Sequence, residues 1–296
     1  MFATAQGAGR AYAATAPLSD ARVVAHFDIT KLQQPENITL APGGAADVTF
    51  NRARQVARVG ANGSVSILAT LPAPATGTAT AAGIVRGKGG FLYVDYNAGS
   101  QSGIWRIPPR GGTPVQVVAT PGVKVLNGLA IDPSTDTLYA TDSTTGTVWK
   151  VSLKTGTASL WARGPALEAS NGSGISANGI KVHAGAVWVS NTDKGTLLRI
   201  PIGAHGAAGA VTTMAKGITS IDDFTFTGRG NAVLAAEDYA NAVALVNPNG
   251  THHIVLTSTD GISNPTSIAV RGSTAYVTSG AYFTRVDPNL LVAKLR

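Results

Sequence analysis

The stretch from Asn127 to Val151 reads NGLAIDPSTDTLYATDSTTGTVWKV, and its pattern decides the fold. A short apolar run precedes a turn with Asp132 and Pro133; the alternating strand TLYATD, a polar turn and the alternating strand TVWKV then follow. Alternation of apolar and polar residues with period two predicts β-strands, and clusters of Gly, Pro and Asp predict the turns between them. The segment therefore predicts three antiparallel strands joined by short turns.

The same pattern occurs six times along the chain, at intervals of 44 to 51 residues. The six units begin at Glu36, Ala82, Asn127, Asn178, Asp222 and Thr266. A fourth apolar run follows, as in SVSILATLP (64–72) and PVQVVATP (114–121). Four strands in about 45 residues is the size of one propeller blade. Because no segment with helical periodicity separates the strands, the sequence predicts an all-β, six-bladed β-propeller with four-stranded antiparallel blades.

The two ends of the chain bear on how the ring closes. ARVVAHFDI (21–29) has the pattern of a fourth strand but precedes the first blade, so we expect it to complete the last blade and remove an exposed sheet edge. The sixth unit is expected to place its third strand at YFTRVDP (282–288), with NLLVAKL (289–295) either competing with the N-terminal strand or adding an outer one. Residues 1–20 predict a disordered or remnant leader, and 21–296 a single propeller domain.

Composition narrows the classes of function. The chain has 296 residues, no Cys, 13% charged residues and a net charge of +7. The absence of Cys excludes thiolate zinc sites, iron–sulfur clusters, thiol catalysis and disulfides. The basic residues are scattered singly, which argues against nucleic-acid binding, and no run of about 18 apolar residues indicates a membrane span. We expect a secreted or periplasmic monomer that acts on a small-molecule substrate.

The residues that open the six units are expected to converge on the channel, because the first strand of each propeller blade lines it. Four of the six carry side-chain oxygens: Glu36, Asn127, Asn178 and Asp222. Two carboxylates in a channel of low dielectric repel each other, and a divalent cation neutralises them. Oxygen donors without Cys or His favour Ca²⁺ or Mg²⁺ over Zn²⁺. The pattern therefore predicts a metal site at these four residues, with coordination positions left for water and substrate.

At this point the sequence resembles a known family. NGLAIDPSTDTLYATDSTTGTVWKV, NGIKVHAGAVWVSNTDKGTLLRI from Asn178 and DDFTFT from Asp222 are similar to the senescence marker protein/gluconolactonase family, which is related to paraoxonase and diisopropyl fluorophosphatase. The resemblance covers roughly residues 22–286 and implies a six-bladed propeller with a catalytic Ca²⁺, or another divalent ion, in its channel. Carried over by position, it implies as ligands the four residues chosen by the repeat: Glu36, Asn127, Asn178 and Asp222.

The resemblance also implies an activity, the hydrolysis of a lactone or an ester. A divalent ion would polarise the carbonyl. Asp222 would act as base or nucleophile, with Glu36 and Asp223 as further catalytic candidates. At the outer ends of the second strands we nominate eight substrate-binding candidates: Asn51, Asp95, Tyr96, Asp142, Asn191, Asp193, Asp238 and Tyr282.

Two other functions stay open. The family's first-blade Glu usually stands in Glu-Gly-Pro, whereas here the sequence is Pro35-Glu36-Asn37-Ile38. A fungal branch of similar propellers with a Glu-Asn-Ile motif performs pericyclic, hetero-Diels–Alder-type catalysis, so a non-hydrolytic step on a small natural product is the second hypothesis. A binding or scaffold propeller with a structural ion is the third. The chain contains no Gly-x-Ser-x-Gly or His-Glu-x-x-His motif, so neither a serine hydrolase nor a zincin is predicted.

Overall fold

A computed structural model describes residues 17–172 and 174–296 of the chain. Its strands form six four-stranded antiparallel sheets. The first strand of each sheet contacts the first strands of the two neighbouring sheets, and the last sheet contacts the first in the same way. The predicted six-bladed β-propeller is therefore confirmed.

The strands follow one another from the channel outward in the first five blades. Strand β1, Leu18–His26, precedes them in the chain. Blade 1 contains β2 Pro35–Leu40, β3 Ala46–Phe50, β4 Gln55–Val59 and β5 Val65–Thr70. Blade 2 contains β6 Thr80–Arg86, β7 Leu92–Asn97, β8 Gly103–Ile107 and β9 Val115–Ala119. Blade 3 contains β10 Leu126–Asp132, β11 Thr137–Asp142, β12 Thr147–Ser152 and β13 Thr157–Arg163.

The remaining blades follow the same plan. Blade 4 contains β14 Ala177–His183, β15 Ala186–Asn191, β16 Thr196–Pro201 and β17 Thr212–Lys216. Blade 5 contains β18 Ile221–Phe226, β19 Val233–Glu237, β20 Ala242–Val246 and β21 His252–Leu256. Blade 6 contains β22 Pro265–Arg271, β23 Thr274–Ser279 and β24 Asn289–Leu295, with β1 as its outermost strand.

Short 3₁₀ turns lie in the connections, at Ile29–Lys31, Pro42–Gly44, Lys88–Gly90, Gly99–Gln101, Ala204–Gly206 and Ser258–Asp260. None of the helical segments in residues 17–172 and 174–296 is long and apolar enough to cross a membrane.

Blade 6 is built from both ends of the chain. Strand β1 pairs antiparallel with β24, so the N-terminal strand closes the ring as expected. The expectation of a third strand at 282–288 is wrong, because those residues form a loop and β24 is the third strand. The reason is burial: Leu291, Ala293 and Leu295 pack into the core between blades 5 and 6, whereas the loop side chains Phe283 and Val286 are largely exposed.

The N-terminal boundary also differs from the expectation. Leu18 and Ser19 already pair with Leu295 and Lys294 in blade 6, so the propeller begins before residue 21. The buried side chain of Leu18 belongs to the core between blades 5 and 6, which explains why the strand extends this far. The leader predicted for the residues before 17 lies outside the described residues.

The core lies between adjacent blades. In one cluster, Trp188 and Leu197 of blade 4 pack against Phe224 and Ala235 of blade 5. The alternation seen in the sequence places these side chains on the faces that two neighbouring sheets turn toward each other. Burying one such large apolar side chain contributes about 1.5–3 kcal/mol to stability. This packing fixes each inner strand relative to the next.

Every inner strand carries an irregularity at the same place. In each blade the pairing of the first two strands contains one extra residue on the inner strand, a β-bulge. A bulge bends the strand and redirects a side chain. The bulges contain the six residues that open the sequence repeats: Glu36, Ala82, Asn127, Asn178, Asp222 and Thr266. The repeat register thus marks a real ring of equivalent positions.

Candidate functional site

The bulges of the inner strands are held in place by hydroxyl groups from the neighbouring blade. Thr141 of β11 donates a hydrogen bond to the carbonyl oxygen of Asn178 at 2.5 Å. Ser190 of β15 donates to the carbonyl oxygen of Asp222, also at 2.5 Å. Because each backbone carbonyl is fixed by the second strand of the preceding blade, the side chains of Asn178 and Asp222 have defined positions at the channel entrance.

The Gly that follows Asn in blades 3 and 4 is required by close packing of the bulges. A Cβ atom at Gly128 would lie 2.3 Å from the carbonyl oxygen of Asn178. One at Gly179 would lie 2.4 Å from Oδ1 of Asp223. Both distances are shorter than any van der Waals contact, so only Gly fits there. The repeated Asn-Gly pair is therefore a feature of the bulge and not of a turn.

Asn178 and Asp222 are directly bonded. Asn178 Nδ2 donates to Asp222 Oδ1 at 2.7 Å and to Thr192 Oγ1 at 2.9 Å. The hydroxyl of Thr192 gives its only proton to the carbonyl oxygen of Ile221, so toward Asn178 it acts as acceptor. Both N–H bonds of the Asn178 amide are thereby used, and its Oδ1 is the atom available to a ligand.

Glu36 is held from the opposite side of the entrance. The hydroxyl of Tyr282, from the loop 280–288 of blade 6, donates a short hydrogen bond to Glu36 Oε2. Burial raises the pKa of Glu36, and the charge of Asp223 raises it further, whereas the hydrogen bonds of Tyr282 and Asn51 lower it. Burial and the negative charge of Glu36 raise the pKa of Tyr282 well above its usual value, so the phenol stays protonated and donates.

Glu36, Asp222 and Asp238 form what we call the acidic cluster. Burial raises the pKa of Asp222 well above its usual range, and the charges of the other two carboxyls raise it further. Burial and the charge of Glu36 raise the pKa of Asp238 to about 7. Asp238 Oδ1 is buried and makes no hydrogen bond within the described residues. Three carboxylates so placed repel one another, and protons or a cation relieve the repulsion.

Asp223 has a different environment from Asp222. It accepts hydrogen bonds from Lys181 Nζ at 2.6 and 2.7 Å, from Ser267 Oγ at 2.6 Å and from Asn37 Nδ2 at 3.2 Å. These partners come from blades 4, 6 and 1, so this buried carboxylate ties four blades together around the channel. On the far side, Asn37 and Lys181 line a cavity of about 350 Å³. These contacts are those of a structural anchor, and the catalytic role expected for Asp223 from the sequence stays a prediction.

The residues at the entrance fit a hard divalent cation by their chemistry. The donors are all oxygens, the acidic cluster carries excess negative charge, and Asp238 Oδ1 has no hydrogen-bond partner among residues 17–172 and 174–296. In the part of the chain that the structure describes, no three His, Cys, Asp or Glu side chains are grouped so as to hold a metal ion. The amide oxygens of Asn127 and Asn178 would therefore have to supply part of the coordination.

Of the eight substrate-binding candidates, three lie around Glu36: Asn51, Asp238 and Tyr282. Four of the other five, Tyr96, Asp142, Asn191 and Asp193, make contacts that hold the chain where one blade connects to the next. Asp142 accepts from the N–H groups of Lys124 and Val125. Tyr96 donates to the carbonyl oxygen of Pro72, Asn191 donates to those of Ala166 and Glu168, and Asp193 accepts from the N–H of Ser170.

Asp95 differs from these four. Its side chain is fully buried, and neither carboxylate oxygen has a hydrogen-bond partner in the described residues. Burial raises its pKa well above the usual value. Asp95 in blade 2 and Thr141 in blade 3 occupy equivalent positions on the second strand. In both blades, the residue before them pairs with the residue that ends the bulge. The position of Asp95 is that of the hydroxyl residues that hold the next bulge.

Sequence reasoning missed Lys181 and Thr192. Lys181 neutralises Asp223, and Thr192 orients the Asn178 amide. The signal available for Lys181 was a charged residue on an inner strand, two residues after Gly179, where the other inner strands carry Thr or an apolar residue. Thr192 was hidden because Asn191 and Asp193, its neighbours, are more typical polar site residues.

Comparison with known proteins gives the following matches. The family model described as the SMP-30/gluconolactonase/LRE-like region matches residues 27–234, more than half of the chain. No curated protein matches the sequence.

Solved structures share the fold. A protein assigned as a gluconolactonase is 17% identical with a TM-score of 0.71, covering 94% of this chain and 92% of that one. The calcium-binding protein regucalcin from Agrobacterium tumefaciens is 17% identical with a TM-score of 0.70, covering 93% of each chain. A catalytically inactive virginiamycin B lyase from Staphylococcus aureus with quinupristin is 16% identical with a TM-score of 0.63, covering 89% of this chain and 81% of that one. At these identities the likeness shows the fold alone.

Proposed function

Because the chain belongs to the SMP-30/gluconolactonase/LRE-like family, we propose that it is a hydrolase of a lactone or an ester that depends on a divalent cation. The observation that carries the proposal is the acidic cluster at the channel entrance, with Asn178 bonded to one of its carboxyls. Regucalcin, a structural neighbour of this chain, is a calcium-binding protein, which favours Ca²⁺ as the cation.

Four residues would hold the cation: Glu36, Asn127, Asn178 and Asp222. The charges of Glu36 and Asp222 balance those of one divalent ion, which removes the repulsion that raises their pKa values. A cation bound there would supply the positive charge that polarises the substrate carbonyl and stabilises the negative oxygen formed from it.

The side chains of the cluster divide the proton transfers. Asp222, oriented by Asn178, takes a proton from the water whose oxygen attacks the carbonyl carbon. The bond between that carbon and the ester oxygen then breaks, and the departing oxygen must receive a proton. Asp238 is suited to give it, because burial raises the pKa of this carboxyl and favours its protonated form. Two carboxyls with different environments thus take the roles of base and acid.

The test uses the purified full chain with a panel of lactones and aryl esters. We expect hydrolysis that is lost after metal is removed with a chelator and that returns with Ca²⁺ or Mg²⁺. Asp222→Asn is expected to abolish turnover while the protein still folds. The matched control is Asp136→Asn, an exposed Asp paired with Lys88 outside the cluster, which should hydrolyse like the wild type. Full activity in the metal-stripped protein overturns the proposal. So does a lack of turnover on the whole panel combined with a melting temperature lowered by the chelator, which indicates a structural ion.

A second candidate is a pericyclic step without hydrolysis, and one observation favours it. The raised pKa of Asp222 keeps an O–H group in the entrance as a hydrogen-bond donor. Such a donor can polarise a carbonyl in an unsaturated substrate without any water attacking it. The test is conversion of an unsaturated carbonyl compound to a cyclic isomer of unchanged mass by the metal-stripped protein. An equal rate without protein overturns this candidate.

A further inference from the structure

Two exposed aromatic side chains stand next to the acidic cluster in the chain. Tyr239 follows Asp238 and is 71% exposed, and Phe283 follows Tyr282 and is 58% exposed. Their ring centroids are 5.2 Å apart and their planes lie at 83°, an edge-to-face pair. We call these two residues the aromatic pair. It joins the loop 238–241 of blade 5 to the loop 280–288 of blade 6, the same loops that bring Asp238 and Tyr282 to the entrance.

A buried Asn holds both loops in place. Asn264 Oδ1 accepts hydrogen bonds from the N–H groups of Phe283 at 3.0 Å and Thr284 at 2.8 Å. Its Nδ2 donates to the carbonyl oxygen of Asp238 at 3.0 Å. Asn264 is 2% exposed and has a φ of +53°, a left-handed conformation that Asn tolerates better than most residues. Asn264 therefore holds the backbone of both loops, so the aromatic pair has a defined position.

Large exposed apolar side chains occur in two places only among the described residues. Five lie on the outermost strands of the blades: Val65, Ile67, Val115, Leu160 and Ile254. All the others lie in connections at the end of the propeller that carries the acidic cluster: Leu32, Val125, Ile175, Tyr239, Phe283 and Val286. The entrance is thus polar at its centre and apolar on its rim, an arrangement typical of sites that bind a small molecule with an apolar part.

From this arrangement, and resting on the proposed function, we infer that the aromatic pair binds an aryl or alkyl substituent of the substrate. The lactone or ester carbonyl then lies at the acidic cluster. Asp238 of this cluster precedes Tyr239, and Tyr282, which precedes Phe283, bonds to Glu36 of the cluster. Aromatic rings gain from contact with an apolar group that removes them from water, and an edge-to-face pair offers a ring face and a ring edge to such a group. A small, fully hydroxylated sugar lactone has no group for this rim. The pair therefore selects for substrates with an apolar substituent.

Binding is tested with lactams, which keep the ring and carbonyl of a lactone but resist hydrolysis. The probes are 5-phenyl-2-pyrrolidinone and unsubstituted 2-pyrrolidinone, titrated by calorimetry into the full-length protein. We expect the phenyl compound to bind at least about tenfold more tightly, and the double variant Tyr239→Ser/Phe283→Ser to lose that difference. Tyr239→Phe, which keeps the ring, should keep the preference. Ile254→Ser, an exposed apolar residue on the outermost strand of blade 5, is the matched control and should bind both lactams like the wild type.

The same variants are then assayed for hydrolysis of 5-phenyl-γ-butyrolactone and γ-butyrolactone. The double variant is expected to lose about tenfold in kcat/KM for the phenyl lactone and little for the other. Hydrolysis without a preference for the phenyl lactone, or a preference kept by the double variant, overturns the inference and leaves the proposed function intact. Selective lactam binding without hydrolysis of any lactone or ester overturns the proposed function instead. Equal binding of the two lactams, or no measurable binding, also overturns the inference.

Discussion

The hydroxyl of Tyr282 donates a hydrogen bond to the carboxylate of Glu36, which lies 246 residues away in the sequence. The contact joins the loop of blade 6 to the bulge of blade 1, across the seam where the ring closes. It also stabilises the ionised form of Glu36, whose pKa burial would otherwise raise further. One hydrogen bond therefore links the position of the entrance loop to the charge of a proposed cation ligand.

Tyr282→Phe is expected to weaken cation binding. Without the hydroxyl the pKa of Glu36 rises, so a proton competes better with the cation for that carboxylate. We expect a loss of about tenfold in Ca²⁺ affinity near pH 6, measured by calorimetry, because a hydrogen bond to a charged group contributes about 1.5–3 kcal/mol. The loss should shrink as the pH rises, since Glu36 then ionises in the variant as well. Tyr276→Phe is the control, because its hydroxyl contacts Gly44 away from the entrance. Unchanged Ca²⁺ affinity in Tyr282→Phe at pH 6 would contradict this role.

We expect Asp238→Asn to remove the fall of kcat for hydrolysis at high pH. If Asp238 gives a proton to the departing oxygen, the wild-type rate falls as the pH rises through the pKa of this carboxyl, which burial raises, because the carboxyl then loses that proton. The variant carries no proton to give and should lose about 10²–10⁴ in kcat, with no fall at that pH. The measurement is kcat between pH 5 and 9 for both proteins. A variant that keeps the same falling limb shows that another group produces it.

Asp95→Thr is expected to stabilise the protein. Asp95 is buried without hydrogen-bond partners in the described residues, and Thr at the equivalent position of blade 3 bonds to the next bulge. Replacing an unsatisfied buried polar group by one with partners should add about 1–3 kcal/mol to the free energy of unfolding. The pKa of Asp95 is raised by folding, so the wild type loses stability as the pH rises above about 3.9, the ordinary Asp value, until the folded carboxyl ionises.

The gain from Asp95→Thr should therefore be larger at pH 8 than at pH 4, measured by urea unfolding at both values. Thr141→Asp in blade 3 is the reverse change at the equivalent position. It should destabilise the protein, and more so at pH 8. If the stabilisation by Asp95→Thr does not depend on pH, Asp95 has the same pKa in the folded and the unfolded chain, and this prediction is wrong.

The repeat predicted the ring of bulge residues because each bulge falls at the same register of a 44–51-residue unit, which places Glu36, Asn178 and Asp222 at equivalent positions. The Tyr282–Glu36 contact could not be predicted, because it depends on how an irregular loop folds across the seam. That loop also misled the strand assignment, since residues 282–288 alternate like a strand but the side chains of Phe283 and Val286 are largely exposed. Asp142 and Asn191 resemble site residues in the sequence. They bond backbone N–H and C=O groups at blade connections, and the side chains suited to that are the same ones that bind polar ligands.

The last prediction concerns Lys181, whose ammonium bonds both oxygens of Asp223. Lys181→Met removes the cation and leaves the buried carboxylate bonded, among the described residues, to Ser267 and Asn37 alone, so the free energy of unfolding should fall by about 3–5 kcal/mol. Lys88→Met is the matched control. Its pair with Asp136 has the same 2.7 Å separation but is exposed, so its loss should cost less than about 1 kcal/mol. Urea unfolding at pH 7 measures both. Asp223 ties blades 1, 4, 5 and 6 together. The double variant Lys181→Met/Asp223→Asn removes the unpaired charge, so it should recover part of the lost free energy of unfolding. Equal effects of Lys181→Met and Lys88→Met would show that Asp223 is not the anchor its contacts indicate.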